Sequence, residues 1–182
     1  RDPSNVEIRQ QIAAMYVADK RPSKAIEILD EILGDDPDNW QVLRTRGDVL
    51  LSISKQKEAI ADYERALKLH KEETDDGLYN NFAWDLATSP NENLRDGKRS
   101  IKLAKKACEL TDYKAAHILS TLASGYAETG DYDTAIEWST KAVELGSEDQ
   151  KEQLEQELES YKKKKPWREL QSVEEKPDPP KA

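Results

Sequence analysis

Ala25-Ile26-Glu27-Ile28-Leu29-Asp30-Glu31-Ile32-Leu33 and Ala59-Ile60-Ala61-Asp62-Tyr63-Glu64-Arg65-Ala66-Leu67 repeat one pattern, their leading alanines 34 residues apart. The same pattern returns in Ser100-Ile101-Lys102-Leu103-Ala104-Lys105-Lys106-Ala107 and in Ala135-Ile136-Glu137-Trp138-Ser139-Thr140-Lys141-Ala142, 41 and 35 residues further on. A small residue, a β-branched apolar one, then apolar or small residues at plus four and plus seven mark one face of a helix. Each of these helices is preceded by a second amphipathic stretch. The preceding stretches carry Ile12, Ala13 and Tyr16; Leu43, Gly47 and Leu50; Tyr79, Phe82, Ala83 and Leu86; and Leu119, Leu122, Ala123 and Tyr126. The small residue in each set lets two helices approach closely, and the larger ones fill the space around it. Pro37 closes the first pair, where a helix must stop.

On these residues the chain resembles the tetratricopeptide repeat family, whose 34-residue motif runs large residue, apolar–small pair, aromatic, Ala, aromatic or apolar residue, Ala, Pro. The first repeat reads Arg9, Ile12-Ala13, Tyr16, Ala25, Leu29, Ile32 and Pro37; the second Leu43, Arg46-Gly47, Leu50, Ala59, Tyr63, Ala66 and Lys71; the fourth Leu119, Leu122-Ala123, Tyr126, Ala135, Ser139, Ala142 and Ser147. The departures, Arg9, Arg46, Lys71 and Ser147, avoid the positions that require a small side chain. The third repeat carries about five extra residues within Asn91-Glu92-Asn93-Leu94-Arg95-Asp96-Gly97 and looks like a variant repeat pair of bacterial proteins, where it sits near the end of longer chains. The resemblance implies an all-α, right-handed α-solenoid of four helix pairs, at about 6–39, 40–73, 76–110 and 116–146. A capping helix at about 148–165 completes a single array over 1–165.

Ser147-Glu148-Asp149-Gln150 reads as a capping box opening that last helix, with Leu154, Leu158 and Tyr161 as its apolar stripe. Lys162 to Lys165 suit the helix C-terminus, and Pro166 is expected to end the helix. Residues 166–182 read as a mostly disordered tail. Trp167 within it is a hydrophobic peg folding back on the last helix or a partner-docking residue. A chain that begins at Arg1 reads as a fragment or a processed product.

Composition narrows the function. The 182 residues hold 28 Lys and Arg against 37 Asp and Glu, with two His and one Cys. Residues 1–74 (12 basic, 15 acidic), 75–146 (8 and 12) and 147–182 (8 and 10) are each acidic, which argues against a nucleic-acid backbone as partner. No run of about 18 apolar residues is present, so membrane insertion is not expected. A lone cysteine excludes an internal disulfide framework and any multi-cysteine zinc site, and fits a bacterial cytoplasm or periplasm alike. No phosphate-binding glycine loop, HExxH or GxSxG occurs. Asp35-Asp36-Pro37-Asp38-Asn39 lacks the glycine and closing glutamate of a calcium loop and reads as a turn between repeats. Cys108 reads as a buried small hydrophobe, and His70 and His117 as surface or terminal residues. No metal or cofactor is expected, and no enzyme. Lys98, Lys102 and Lys105 share a helix face, read as a solvated outer surface or, less simply, as a dock for an acidic partner or an RNA; no aromatic residues interleave with them for stacking on bases.

In the family the first helix of each repeat lines a concave groove. Carried over residue by residue, that groove holds Gln10, Ala14, Arg44, Thr45, Asp48, Asn80, Asn81, Trp84, His117, Ser120, Thr121 and Ser124. Arg and Trp are the side chains most often found as binding hot spots, and Asn81 offers a donor and an acceptor to a peptide backbone. Trp84 reads equally as a core residue. A subfamily that grips a C-terminal carboxylate uses Lys, Asn, Asn, Lys and Arg; the matching positions here are Arg44, Asp48, Asn81, His117 and Thr121, of which two suit, and Asp48 repels a carboxylate. The expected function is a non-catalytic module that holds a peptide or helix of a protein partner. The alternative is a structural, assembly or spacer element, including self-association.

Overall fold

The computed structural model describes residues 3–168 and 174–176, with side chains from Asn5 onward. Among the described residues it is all-α: α1 Pro3–Ala18, α2 Pro22–Asp35, α3 Trp40–Ser52, α4 Gln56–Leu69, α5 Asp76–Thr88, α6 Gly97–Leu110, α7 Ala116–Glu128, α8 Tyr132–Leu145 and α9 Glu148–Lys162, with a single 3-10 turn at Glu92–Leu94. The helices fall into two compact units. One holds α1 to α4 with residues 174–176; the other begins at Glu73 and holds α5 to α9 with the chain through Arg168.

Three of the four pairs turn in the same way. Arg21 N donates to Tyr16 O at 2.8 Å, Lys55 N to Leu50 O at 2.9 Å, and Asp131 N to Tyr126 O at 3.0 Å. The residue before each donor sits in the left-handed region, Lys20 at φ 57, Ser54 at φ 60 and Gly130 at φ 84. This closes a helix by capping its last carbonyls from beyond the end. The third pair departs where the sequence lengthens. After α5 the chain passes through the 3-10 turn, and Asp96 then caps α6 by accepting from Arg99 N at 2.9 Å.

The face that marks each second helix is buried throughout. Ala25, Leu29 and Ile32, then Ala59, Tyr63 and Ala66, then Ser100, Ala104 and Ala107, then Ala135, Ser139 and Ala142 are all buried, as are the small residues Ala13, Ala83 and Ala123. Ile12 departs from expectation, being 40% exposed. With Ile8 and Met15, also exposed, it forms a stripe along α1 at i, i+4 and i+7.

The two arginines that break the repeat pattern are held by acids instead of apolar neighbours. Arg46 forks onto Asp62 with two bonds of 2.7 Å and reaches Asp30 at 2.6 Å, so one side chain on α3 ties α2 to α4. Asp62 is buried in that pair, and its hydrogen bonds to Arg46 push the guanidinium further from deprotonation. Arg9 reaches Asp35 at 3.1 Å.

Gly47 sits where α3 crosses α4. A Cβ there would lie 2.7 Å from Tyr63 Cε1, and the Tyr63 ring cannot retreat: it is fully buried and its hydroxyl donates to Asp48 at 2.8 Å. Gly47→Ala is therefore expected to destabilise the protein by about 2 kcal/mol despite alanine's better helix propensity, as overpacking does. Urea unfolding checks it; a neutral or stabilising result would mean the ring shifts freely.

The capping box of α9 is present, with Ser147 paired to Gln150. The helix ends at Lys162, three residues short of the expected 165. Lys164 enters the left-handed region at φ 54, and Lys164 N and Lys165 N bond back to Tyr161 O and Ser160 O. The left-handed turn at Lys164 is what closes the helix, ahead of Pro166. Of the expected tail, residues 169–173 and 177–182 lie outside the described residues. Trp167, like Tyr126, Tyr132, Ile136 and Trp138, packs against the buried cluster of Ala123, Ala127, Ala135 and Tyr161, whose members come from α7, α8 and α9. Beside it Arg168 donates to Ala87 O at 3.1 Å and pairs with Glu128, which also accepts from Arg95 at 2.9 Å.

Candidate functional site

The groove residues inferred from the sequence lie in two groups, one in each compact unit. In the first unit Gln10 on α1 is half-buried, and Arg44, Thr45 and Asp48 share one side of α3. Arg44 and Asp48 form an i, i+4 ion pair at 3.9 Å. Asp48 also accepts the buried Tyr63 hydroxyl, so its charge is already engaged. Thr45 is exposed and its hydroxyl bonds back to Gln41 O at 2.9 Å.

In the second unit α5 carries Asn80, Asn81 and Trp84, and α7 carries His117, Ser120, Thr121 and Ser124; the two helices pack on each other. Asn81 and Trp84 are half-buried and His117 is exposed. Asn80 is nearly buried and donates to Asn81 Oδ1 at 3.0 Å. Thr121 is buried and donates to His117 O at 3.1 Å.

Ser120 and Ser124 already have a helix on them. Ser120 Oγ donates to Glu157 of α9, and Ser124 Oγ lies 2.9 Å from the Tyr161 hydroxyl. All four side chains are buried, and Gln153 Nε2 donates to the other Glu157 oxygen at 2.9 Å. The sequence stripe Leu154, Leu158 and Tyr161 left Glu157 out. Its spacing was the available signal, since it stands three after Leu154 and four before Tyr161, on the same face.

Two further buried groups carry chemistry. Asp85 on α5 is 1% exposed, and neither of its oxygens has a hydrogen-bond partner. Burial pushes its carboxyl up to about 7. Cys108 is fully buried, and burial with Glu109 nearby pushes its thiol up to about 12, which keeps it protonated and unreactive at neutral pH. His70 stacks on Trp40 with ring centroids 4.0 Å apart and closes α4 as its C-cap. Among the described residues no group of three or more His, Cys, Asp or Glu is placed to hold a metal ion, and no helix is long and apolar enough to cross a membrane.

The basic residues around α6 are engaged within the fold more than the sequence suggested. Arg95 pairs with Glu128, Arg99 lies over the Phe82 ring at 4.6 Å, Lys105 over Tyr126 at 5.7 Å, and Lys106 reaches Glu73 at 3.2 Å. Lys98, Lys102 and Lys105 are all exposed.

Comparison with known proteins agrees with this architecture. Residues 116–149, which span α7 and α8, match the family model described as tetratricopeptide repeat. Among solved structures, MamA 41-end from Desulfovibrio magneticus RS-1 superposes with a TM-score of 0.69 at 16% identity, over 86% of this chain and 82% of that one. A crystal structure of MamA protein gives 0.64 at 20% identity, over 87% and 88%. The uncharacterized protein y4yS of Sinorhizobium fredii (strain NBRC 101917 / NGR234) is 34% identical over 71 residues, which is 38% of this chain and 38% of that protein. The chain thus matches well under two thirds of that relative's length. The resemblance to the tetratricopeptide repeat family holds: α7 and α8 match its model, and the described residues form an all-α helical-repeat fold. Members of that family are generally non-catalytic scaffolds for protein partners.

Proposed function

We propose that this chain is a non-catalytic interaction module that holds a peptide or an amphipathic helix of a protein partner against the first helices of its repeats. The observation that carries this reading is α9 on α7. Positions the family pattern assigns to the groove, Ser120 and Ser124, hold a helix through a carboxylate and a phenol. A side of α7 that takes a helix in this way is chemically suited to such partners. Asn81, Trp84 and His117 are the residues of the second unit that this reading assigns to contact with a partner, with Trp84 as the aromatic anchor. In the first unit Gln10, Arg44 and Thr45 play that part, and Asp48 orients Arg44. The reading takes residues 1–165 as one array.

The test is a paired capture from a bacterial lysate read by mass spectrometry, followed by titration of the partner identified. The baits are the chain and its Arg44→Ala, Asn81→Ala, Trp84→Ala variant, with folding checked by circular dichroism. Binding weakened at least tenfold in the variant is the expected result, since truncated hot spots cost about 2 kcal/mol or more. A partner bound equally by both baits would place the contact elsewhere and overturn the groove reading.

A second reading, an assembly element that self-associates, is favoured by the α1 stripe of Ile8, Ile12 and Met15, which are 54%, 40% and 70% exposed. Exposed apolar residues in a row mark contact surfaces. Its occupant is a second copy of the chain. Sedimentation of the chain and of a Met15→Glu variant decides it: a dimer that the variant abolishes supports assembly, and a monomer in both removes it.

A further inference from the structure

The second helices of the four pairs differ at their N-termini. α6 is capped by Asp96, and α8 by Asp131, which accepts from Thr134 N at 3.2 Å. α4 carries Glu58 in its first turn. α2 has neither: the Arg21 side chain at its N-cap does not cap the helix, and its first turn holds no acid. Pro22 has no N–H, and Lys24 N and Ala25 N both donate to Arg21 O, so the Ser23 N–H and the positive end of the helix dipole are what the terminus offers an anion.

The anion comes from far along the chain. Glu175 Oε1 accepts from Ser23 N at 3.0 Å, and Glu175 Oε2 from Ser23 Oγ at 2.8 Å. Lys176 continues the contact, its N donating to Lys20 O at 2.9 Å and its Nζ to Asp19 at 2.6 Å. Two consecutive residues thus make a side-chain cap, a backbone bond and an ion pair on one turn. The Lys176 ammonium also holds the Asp19 carboxyl below the usual carboxylate range, with Arg21 adding to it. The recognition is specific in chemistry: a carboxylate for the α2 terminus, then an extended backbone and a cation for Asp19.

We propose that the α1–α2 turn is a docking site for an acidic peptide segment, and that the chain's own Glu175-Lys176 occupies it in cis, so that a partner must displace the tail to bind there. This site is separate from the groove and stands whether or not the groove reading does. Tethering gives the tail a high effective concentration at the turn, and a free peptide of the same sequence competes poorly against it.

The test uses the full chain, isotope-labelled for nuclear magnetic resonance. Amide exchange at Ser23 is compared between the wild type, Glu175→Ala, and Glu174→Ala as a control that removes a neighbouring charge. A synthetic peptide with the sequence of residues 171–180 is then titrated into wild type and Glu175→Ala, beside a peptide whose two glutamates are glutamines. In Glu175→Ala the Ser23 amide should exchange about two- to fivefold faster, the range that an exposed anion at a helix N-terminus supplies. Glu174→Ala should leave it unchanged. The acidic peptide should shift the Ser23 and Lys24 resonances in Glu175→Ala and leave them still in wild type, and the glutamine peptide should do neither. Unchanged exchange in Glu175→Ala, or equal peptide shifts in wild type and variant, would overturn the proposal.

Discussion

Replacing Asp85 by asparagine is expected to stabilise the protein at pH 8 and to leave it unchanged at pH 3. Asp85 is buried with no partner for either oxygen, and its carboxyl is raised from the ordinary 3.8 to about 7 by desolvation. Below about pH 4 the folded and unfolded chains both hold the proton, and the group makes no difference. Between about pH 4 and 7 the unfolded chain has released it and the folded chain has not, so stability falls as pH rises. Above about pH 7 the loss is complete, at up to about 4 kcal/mol for a shift of this size. Asparagine never ionises and escapes the loss, although its buried amide gives part of the gain back. A net gain of about 2 kcal/mol at pH 8 corresponds to roughly 5 °C in melting temperature. Melting curves of both proteins at pH 3, 5, 6.5 and 8 check it. Wild type and variant should converge at low pH and separate above neutrality; parallel behaviour across the series would show that Asp85 is solvated or paired in solution.

The sequence revealed the periodic part of this structure and missed the single residues that break the period. Ala25, Ala59, Ser100 and Ala135 fixed the register of the second helices because a small residue recurs wherever two helices touch, and repetition makes such a constraint visible. The insertion in the third pair was visible for the same reason, as a lengthened interval. Arg46 was read as a tolerated departure. That it bridges Asp30 and Asp62 depends on where three helices place their surfaces, which no local window contains. Asp85 stands between Phe82 and Leu86 in an otherwise apolar stretch, yet nothing local says that both its oxygens are left without a partner. The groove residues were carried over from a family pattern that gives no account of a helix lying on top of them. Ser120 and Ser124 are buried because α9 folds back, a long-range event that only the spacing of Glu157 hinted at. The expected end of α9, about 165, lies three residues beyond Lys162 because the chain leaves the helix through left-handed Lys164, a turn that no sequence window around Pro166 announces.

Glu157→Ala is expected to cost about 3 kcal/mol, and the Ser120→Ala, Glu157→Leu double variant to lie within about 1 kcal/mol of wild type. Glu157 is fully buried and accepts from Ser120 and Gln153. Deleting it strands a buried hydroxyl, removes the hydrogen bonds from Ser120 and Gln153 and opens a cavity, three losses that add. Replacing both partners by apolar groups of similar volume removes the desolvation cost together with the bond, which is close to neutral in a packed site. Urea unfolding of Ser120→Ala, Glu157→Leu and their double completes a cycle that isolates the pair, with Glu157→Ala measured beside it. A Glu157→Ala cost near that of a surface substitution, about 0.5 kcal/mol, would mean that α9 is held by Leu154 and Tyr161 alone. The same variant bears on function. If Ser120 and Ser124 belong to the partner-binding surface, loosening α9 uncovers them, and partner affinity should rise while stability falls. If those serines serve only to seat α9, stability falls with affinity unchanged, and the binding surface within the second unit contracts to Asn81, Trp84 and His117.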